Sequence, residues 1–217
     1  MSIRKHILTW LLLLSGLAAG AAGYPPDAAY MIQLNYRSAA KSAGDTTWSA
    51  PGYRLSSRDF KGPSDYSGKA EAEFVGFLSL DMQITESEQG GYGVMANVKS
   101  YMLRSQSWSR VALQDHQELL WHEQQHYNIL TLFGKSLHAG LQDLAAEKLP
   151  LNDFLRRAEQ LYDQTLDQYN TWQQDYDHET EHGKNEQAQK AWDFRISYAM
   201  KEAFRSPASD VEVFVVK

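Results

Sequence analysis

Between Leu119 and Leu144 the apolar residues fall at steps of three and four. Leu119, Ile129, Phe133, Leu137, Leu141 and Leu144 form one row, and His122 and His126 stand in the same row. A row of this kind is one continuous face of a long helix, so the core of the chain must be built against it. Leu149-Pro150 breaks the pattern. A second row then runs through Leu151, Phe154, Leu155, Ala158, Leu161, Thr165, Tyr169, Trp172 and Tyr176, with Gly183 as its stop signal. A third helix is expected over residues 185–204, and VEVFVVK at 211–217 reads as a closing strand.

The chain before Val111 has a different texture. Leu78, Leu80, Met82 and Ile84 share one parity, as do Tyr92, Val94, Ala96 and Val98, and the turn-like SEQGGYG lies between them. These are strands with one buried face. A shorter strand is expected near Tyr30–Tyr36, and RLSSRDFKGPSD at 54–65 reads as loop. The fold class is therefore α+β: antiparallel N-terminal strands, a helical half that begins near Val111, and a short C-terminal strand.

The first residues, MSIRKHILTWLLLLSGLAAGAAGYPP, have a basic start, an apolar run from Ile7 to Leu14 and a small-residue tail. That is the layout of a signal peptide cleaved after Ala21, Ala22 or Gly23. The apolar run is short for a membrane span, which needs about 20 residues, so no stable span is expected after cleavage. The expected organisation is a leader over 1–23 and one domain over 24–217, secreted or periplasmic. With no cysteine, neither a disulfide nor a Cys-linked lipid can hold the chain. The net charge of −6, without a basic cluster in the mature part, argues against nucleic acid as partner.

HEQQH, residues 122–126, lies inside the long helical row. Its histidines are one turn apart, so both imidazoles leave the same face and can reach one metal ion. Glu123 is turned about 100° from His122. It is thus placed beside the metal without binding it, the position of a general base acting on a water. The apolar flanks LLW and YNIL set this helix in a core. A catalytic zinc takes three protein ligands, and HEQQH supplies two. The extended form with a third histidine six residues on is absent, because Ile129 and Leu132 occupy its glycine and histidine positions.

The third ligand must come from elsewhere. HETEH, residues 178–182, repeats the His-Glu-x-x-His pattern in a polar run that ends at Gly183. His178, His182, Glu179 and Glu181 are the local candidates, while the charge run around them reads equally as a solvated face. His116 and His138 have no supporting pattern, His6 lies in the leader, and Trp108 and Trp121 read as packing.

HEQQHYNI together with YDHETEHG resembles a family of secreted or cell-surface zinc-dependent peptidases. That family is otherwise a domain of unknown function, and its peptidase label is itself drawn from the His-Glu-x-x-His motif. Its members show H-E-Q-x-H-F-D-I and, later, Y-D-x-x-T-x-H-G. His122, Glu123, Gln124 and His126 match the first pattern; Tyr176, Asp177, Thr180, His182 and Gly183 match the second. LSSRDFKGP at 55–63 and SWSR at 107–110 extend the resemblance, while Tyr127, Asn128 and Ser57 depart from it.

The resemblance implies a zincin-like peptidase with Zn2+ held by His122, His126 and His182, His178 being incidental. Glu123 is then the base. Asp177 is expected to orient a histidine, and Thr180 to cap the turn. Tyr176 or Tyr127 is a weaker candidate to steady an oxyanion. The expected substrate is a peptide or protein, a cell-wall peptide included. The competing class is a non-catalytic zinc-containing module of the cell envelope that binds a peptide or partner; a third is hydrolysis of a non-peptide amide or cell-wall cross-link.

Overall fold

A computed structural model of the chain describes residues 23–205 and 211–216, apart from 26, 38–41, 69 and 89. The expected leader lies outside the described residues, except for Gly23. The strands before the helices are β1 (Tyr30–Tyr36), β2 (Ser42–Ala43), β3 (Thr46–Trp48), β4 (Ala72–Glu73), β5 (Gly76–Glu86), β6 (Tyr92–Leu103) and β7 (Trp108–Ser109). The helices α1 (Gln117–Ala146), α2 (Leu151–Thr180) and α3 (Glu186–Ala203) follow, and β8 (Val211–Val216) closes the chain. Among the described residues no helix is long and apolar enough to cross a membrane.

The main sheet is built on β6. β5 pairs with it antiparallel along its whole length, after a turn in which Gly90 N–H donates to Ser87 O. β1 lies on the other side of β6, and this pair is parallel, not antiparallel as expected. The reason for the miss is physical. Ile32, Leu34 and Tyr36 pair with Val94, Ala96 and Val98, and alternation buries the same side chains whichever way a strand runs. β8 adds antiparallel to β1, and β3 continues along the far end of β6.

One face of the sheet is covered by α1 and α2, and the core lies between them: Ile32, Leu34, Leu78, Val94 and Ala96 from the sheet, with Ile129, Leu137, Leu141, Phe154 and Ala158 from the helices. α3 closes over α1 and α2 through an aromatic seam in which the Trp192 ring meets Trp172 and Tyr176, each with centroids 5.6 Å away. α1 begins at Gln117 rather than near Val111, because residues 112–116 are turned by Asp115 N–H to Ala112 O and His116 N–H to Leu113 O. Pro150 caps the start of α2, and the Tyr30 hydroxyl ties that connection to the sheet by donating to Leu149 O at 2.5 Å.

The region expected to be loop contains a single helical turn at Ser57–Asp59, held to α1 by Gln124. The Gln124 side chain accepts from Leu55 N–H at 2.7 Å and donates to Tyr53 O at 3.1 Å. β4 and β7 form a separate two-stranded sheet beside the N-terminal half of α1.

Candidate metal centre

HEQQH spans the second and third turns of α1, and all five of its residues are buried. Opposite it runs the last turn of α2. His122 Nε2 lies 3.1 Å from Asp177 Oδ1, His126 Nε2 lies 3.0 Å from the same oxygen, and the two Nε2 atoms are 3.2 Å apart. These three atoms make a nearly equilateral triangle. Donors held about 2.0–2.2 Å from zinc at tetrahedral angles are about 3.3 Å apart. His122, His126 and Asp177 could therefore hold a metal ion, with their donor atoms all within 4.8 Å of one another.

The surroundings fix the two imidazoles. The Tyr176 ring stacks on His122, with centroids 4.6 Å apart, and meets His126 edge-on at 4.8 Å. The Phe74 ring lies parallel to His126 at 6.3 Å. Burial lowers the pKa of His122. Burial also opposes protonation of His126, but the Asp177 carboxylate and its hydrogen bonds outweigh it and push that imidazole up to about 9. Burial alone would raise Asp177, yet the charge of His126 and the hydrogen bonds from all three histidines hold it far below the usual carboxylate range.

Glu123 is 2% exposed. Its carboxylate accepts from the Phe74 backbone N–H, and Oε2 is buried without a hydrogen-bond partner among the described residues. Burial raises its pKa to about 7. Both histidines, Glu123 and Asp177 line a cleft of about 710 Å3. Its opposite wall is the run from Glu71 to Gly76, together with Trp108 and Arg110. Within that run, among the described residues, β4 is hydrogen-bonded to β7 on one side only.

His182 lies just past α2, with its side chain 52% exposed and Nδ1 3.2 Å from Asp177 Oδ1. It stands at the edge of the triangle and is not one of the three clustered donors. It is turned back toward α1 by an uncommon run of left-handed residues, Glu181 (φ 51°), His182 (φ 55°) and Gly183 (φ 83°). Thr180 supports that turn: its hydroxyl donates to Tyr176 O at 2.6 Å and accepts from Gly183 N–H at 3.4 Å. His178, Glu179 and Glu181 are exposed, and none joins the donor group.

The Tyr176 hydroxyl donates to His122 O at 3.2 Å and accepts from Gln189 at 2.7 Å, so it braces the helix beneath the donors. The Tyr127 hydroxyl donates to Trp48 O and accepts from Ala50 N–H, away from the cleft. His138 is buried against Tyr36, and His116 sits at the start of α1. Trp108 packs in the cleft wall with its indole N–H on Glu73, while Trp121 donates to Asp193.

Two residues of the site escaped the sequence reading. Gln173 and Gln189 each put Oε1 against the Nδ1 of one histidine. Gln173 could have been found, since it stands one helical turn before Asp177; Gln189 lies on another helix and left no signal.

Residues 104–183 match the profile of a bacterial protein family of unknown function (DUF922). The matched stretch runs from the end of β6 to Gly183 and contains His122, Glu123, His126, Asp177 and His182. No curated protein matches the chain, and no solved structure does.

Proposed function

We propose that the chain is an exported zinc-dependent peptidase. The observation that carries the reading is one cleft that holds both a triangle of donor atoms at zinc spacing and a buried, unpartnered carboxylate oxygen on Glu123. Two imidazoles and a carboxylate suit zinc. His122, His126 and Asp177 would hold the ion, leaving its fourth position to face the cleft. Zinc bound there would supply Lewis acidity to a water and to a substrate carbonyl.

Glu123 takes a proton from the attacking water as its oxygen bonds to the carbonyl carbon. The same carboxyl returns the proton to the amine as the C–N bond breaks, and the water's second proton passes from the new carboxyl group to the amine, giving one new carboxylate and one new ammonium group. Tyr176 and Phe74 wall the imidazoles from water. An extended peptide suits the cleft because the unpaired side of β4 offers a main chain for strand-like pairing. His182 stands at the cleft edge, where it can donate a hydrogen bond to the carbonyl oxygen as charge builds on it.

A second reading is favoured by that same histidine. His182 lies close enough to Asp177 to close the fourth position, and a zinc with four protein ligands is structural rather than catalytic. The chain would then be a zinc-containing binding module.

One experiment separates the two: zinc per chain and hydrolysis of peptide libraries and peptidoglycan fragments, for the wild type, Glu123→Gln, Asp177→Ala and His182→Ala. The peptidase reading expects one zinc, turnover lost in Glu123→Gln with zinc retained, zinc lost in Asp177→Ala, and zinc retained in His182→Ala. Loss of zinc in His182→Ala with retention in Asp177→Ala would give the third position to His182 instead. Zinc without turnover on any substrate would favour the binding module.

A further inference from the structure

Each histidine of the donor triangle turns Nε2 toward Asp177, and each presses Nδ1 against a glutamine from a different helix. His126 Nδ1 lies 2.5 Å from Gln173 Oε1, on α2. His122 Nδ1 lies 3.2 Å from Gln189 Oε1, on α3. An amide can face either way, so its direction must be argued from its other partners. Gln173 Nε2 donates to the backbone oxygen of His126 itself at 3.1 Å, and a carbonyl can only accept. Gln189 Nε2 donates at 2.8 Å to Asp193 Oδ1. The Asp193 carboxylate is fixed in turn by Gln125 Nε2 at 2.8 Å and the Trp121 indole N–H at 2.9 Å.

Both amide NH2 groups are therefore committed, and both Oε1 atoms must face an imidazole. A carbonyl oxygen there accepts only, so each Nδ1 has to carry the ring hydrogen. In the neutral imidazole, the form that binds a metal, each Nε2 then gives up the hydrogen it shares with Asp177 and keeps its lone pair on that side.

We propose that Gln173 and Gln189 are positioning residues, which lock His126 and His122 in the Nδ1–H tautomer and aim both Nε2 lone pairs at one metal ion. The inference rests on the metal reading above. It adds that α2 and α3 each contribute one amide to α1, so the centre is assembled by all three helices. Partners of this kind typically change metal affinity by about 10–100-fold.

The test uses zinc alone as the probe. Affinity is measured by chelator competition for the wild type, Gln173→Met and Gln189→Met, and the zinc-loaded proteins labelled with 15N-histidine are followed by NMR. Each variant is expected to bind zinc about 10–100-fold more weakly. Gln173→Met should lose the slowly exchanging Nδ1–H resonance of His126 alone, and Gln189→Met that of His122 alone, a selectivity that general loosening of the fold would not produce. The wild-type spectrum decides even if a variant does not fold: zinc on the Nδ1 of either histidine overturns the proposal. Zinc binding within twofold of wild type in either variant overturns it too, leaving the metal reading intact. A wild type that takes up no zinc overturns both.

Discussion

Gly183→Ala tests whether the turn after α2 shapes the centre. Two costs combine at this position. Gly183 has φ 83°, in the left-handed region where a residue with a Cβ is disfavoured by about 1–2 kcal/mol. An added Cβ would also lie 3.2 Å from both Cβ and Cγ of His122, inside the ordinary carbon contact of about 3.5–4.0 Å. Gly52 separates the two costs, because it has φ 81° with nothing within 4 Å of its Cβ position. In the zinc-free protein Gly52→Ala should lose about 1–2 kcal/mol of stability, roughly 2–8 °C in Tm for a domain of this size, and Gly183→Ala at least as much, because the contact with His122 adds to the same backbone cost.

Only Gly183→Ala should weaken zinc. His122 relieves the contact only by leaving its place on the Tyr176 ring, stacked at 4.6 Å, and that is the place from which its Nε2 reaches the triangle, so the loaded state bears the misfit in full. A misfit of about 1.4 kcal/mol in the loaded state is a tenfold loss of affinity. Thermal or denaturant unfolding of the zinc-free proteins, beside chelator competition for zinc, reads both effects. Equal stability losses with zinc affinity unchanged in both variants would refute the claim that Gly183 seats His122. No stability loss in Gly183→Ala would refute the account of the turn.

Three further outcomes are expected. Gln124→Leu leaves the Leu55 N–H without its 2.7 Å partner, costing about 1–3 kcal/mol; limited proteolysis should then cut the loop near residues 53–60 while zinc stoichiometry stays at the wild-type value. Leu137→Ala empties a fully buried core position and should cost about 2–5 kcal/mol in denaturant unfolding, again with zinc retained. Zinc at about 100 times its Kd should stabilise the wild type by about 2.7 kcal/mol, read as a rise in Tm that EDTA reverses and Asp177→Ala lacks.

The long elements were legible because each buries a single face. The row from Leu119 to Leu144 gave α1, and the run from Leu151 to Tyr176 gave α2, which continues to Thr180. Parity likewise gave the inner faces of β5 and β6. Short strands carry too few residues for a period to register, so β2, β3, β4 and β7 were missed, although β4 forms a cleft wall. Strand direction was invisible for a related reason: parity reports which side chains point inward and nothing about which way the chain runs.

The third corner of the triangle shows the same boundary more sharply. A search for zinc ligands favours histidine, and the letters of HETEH drew attention to His178 and His182. Helix geometry applies a different filter. While α2 persists, positions 169, 173, 176 and 177 return to the face opposite α1, and 178 turns away to solvent. Asp177 thus reaches the triangle from within a regular helix. His182 returns toward it only through three successive left-handed residues, a path that no periodicity describes. Spacing selects a donor as long as the helix continues. Beyond its end the backbone turn decides, and there the sequence signals Gly183 but not the direction in which its neighbour points.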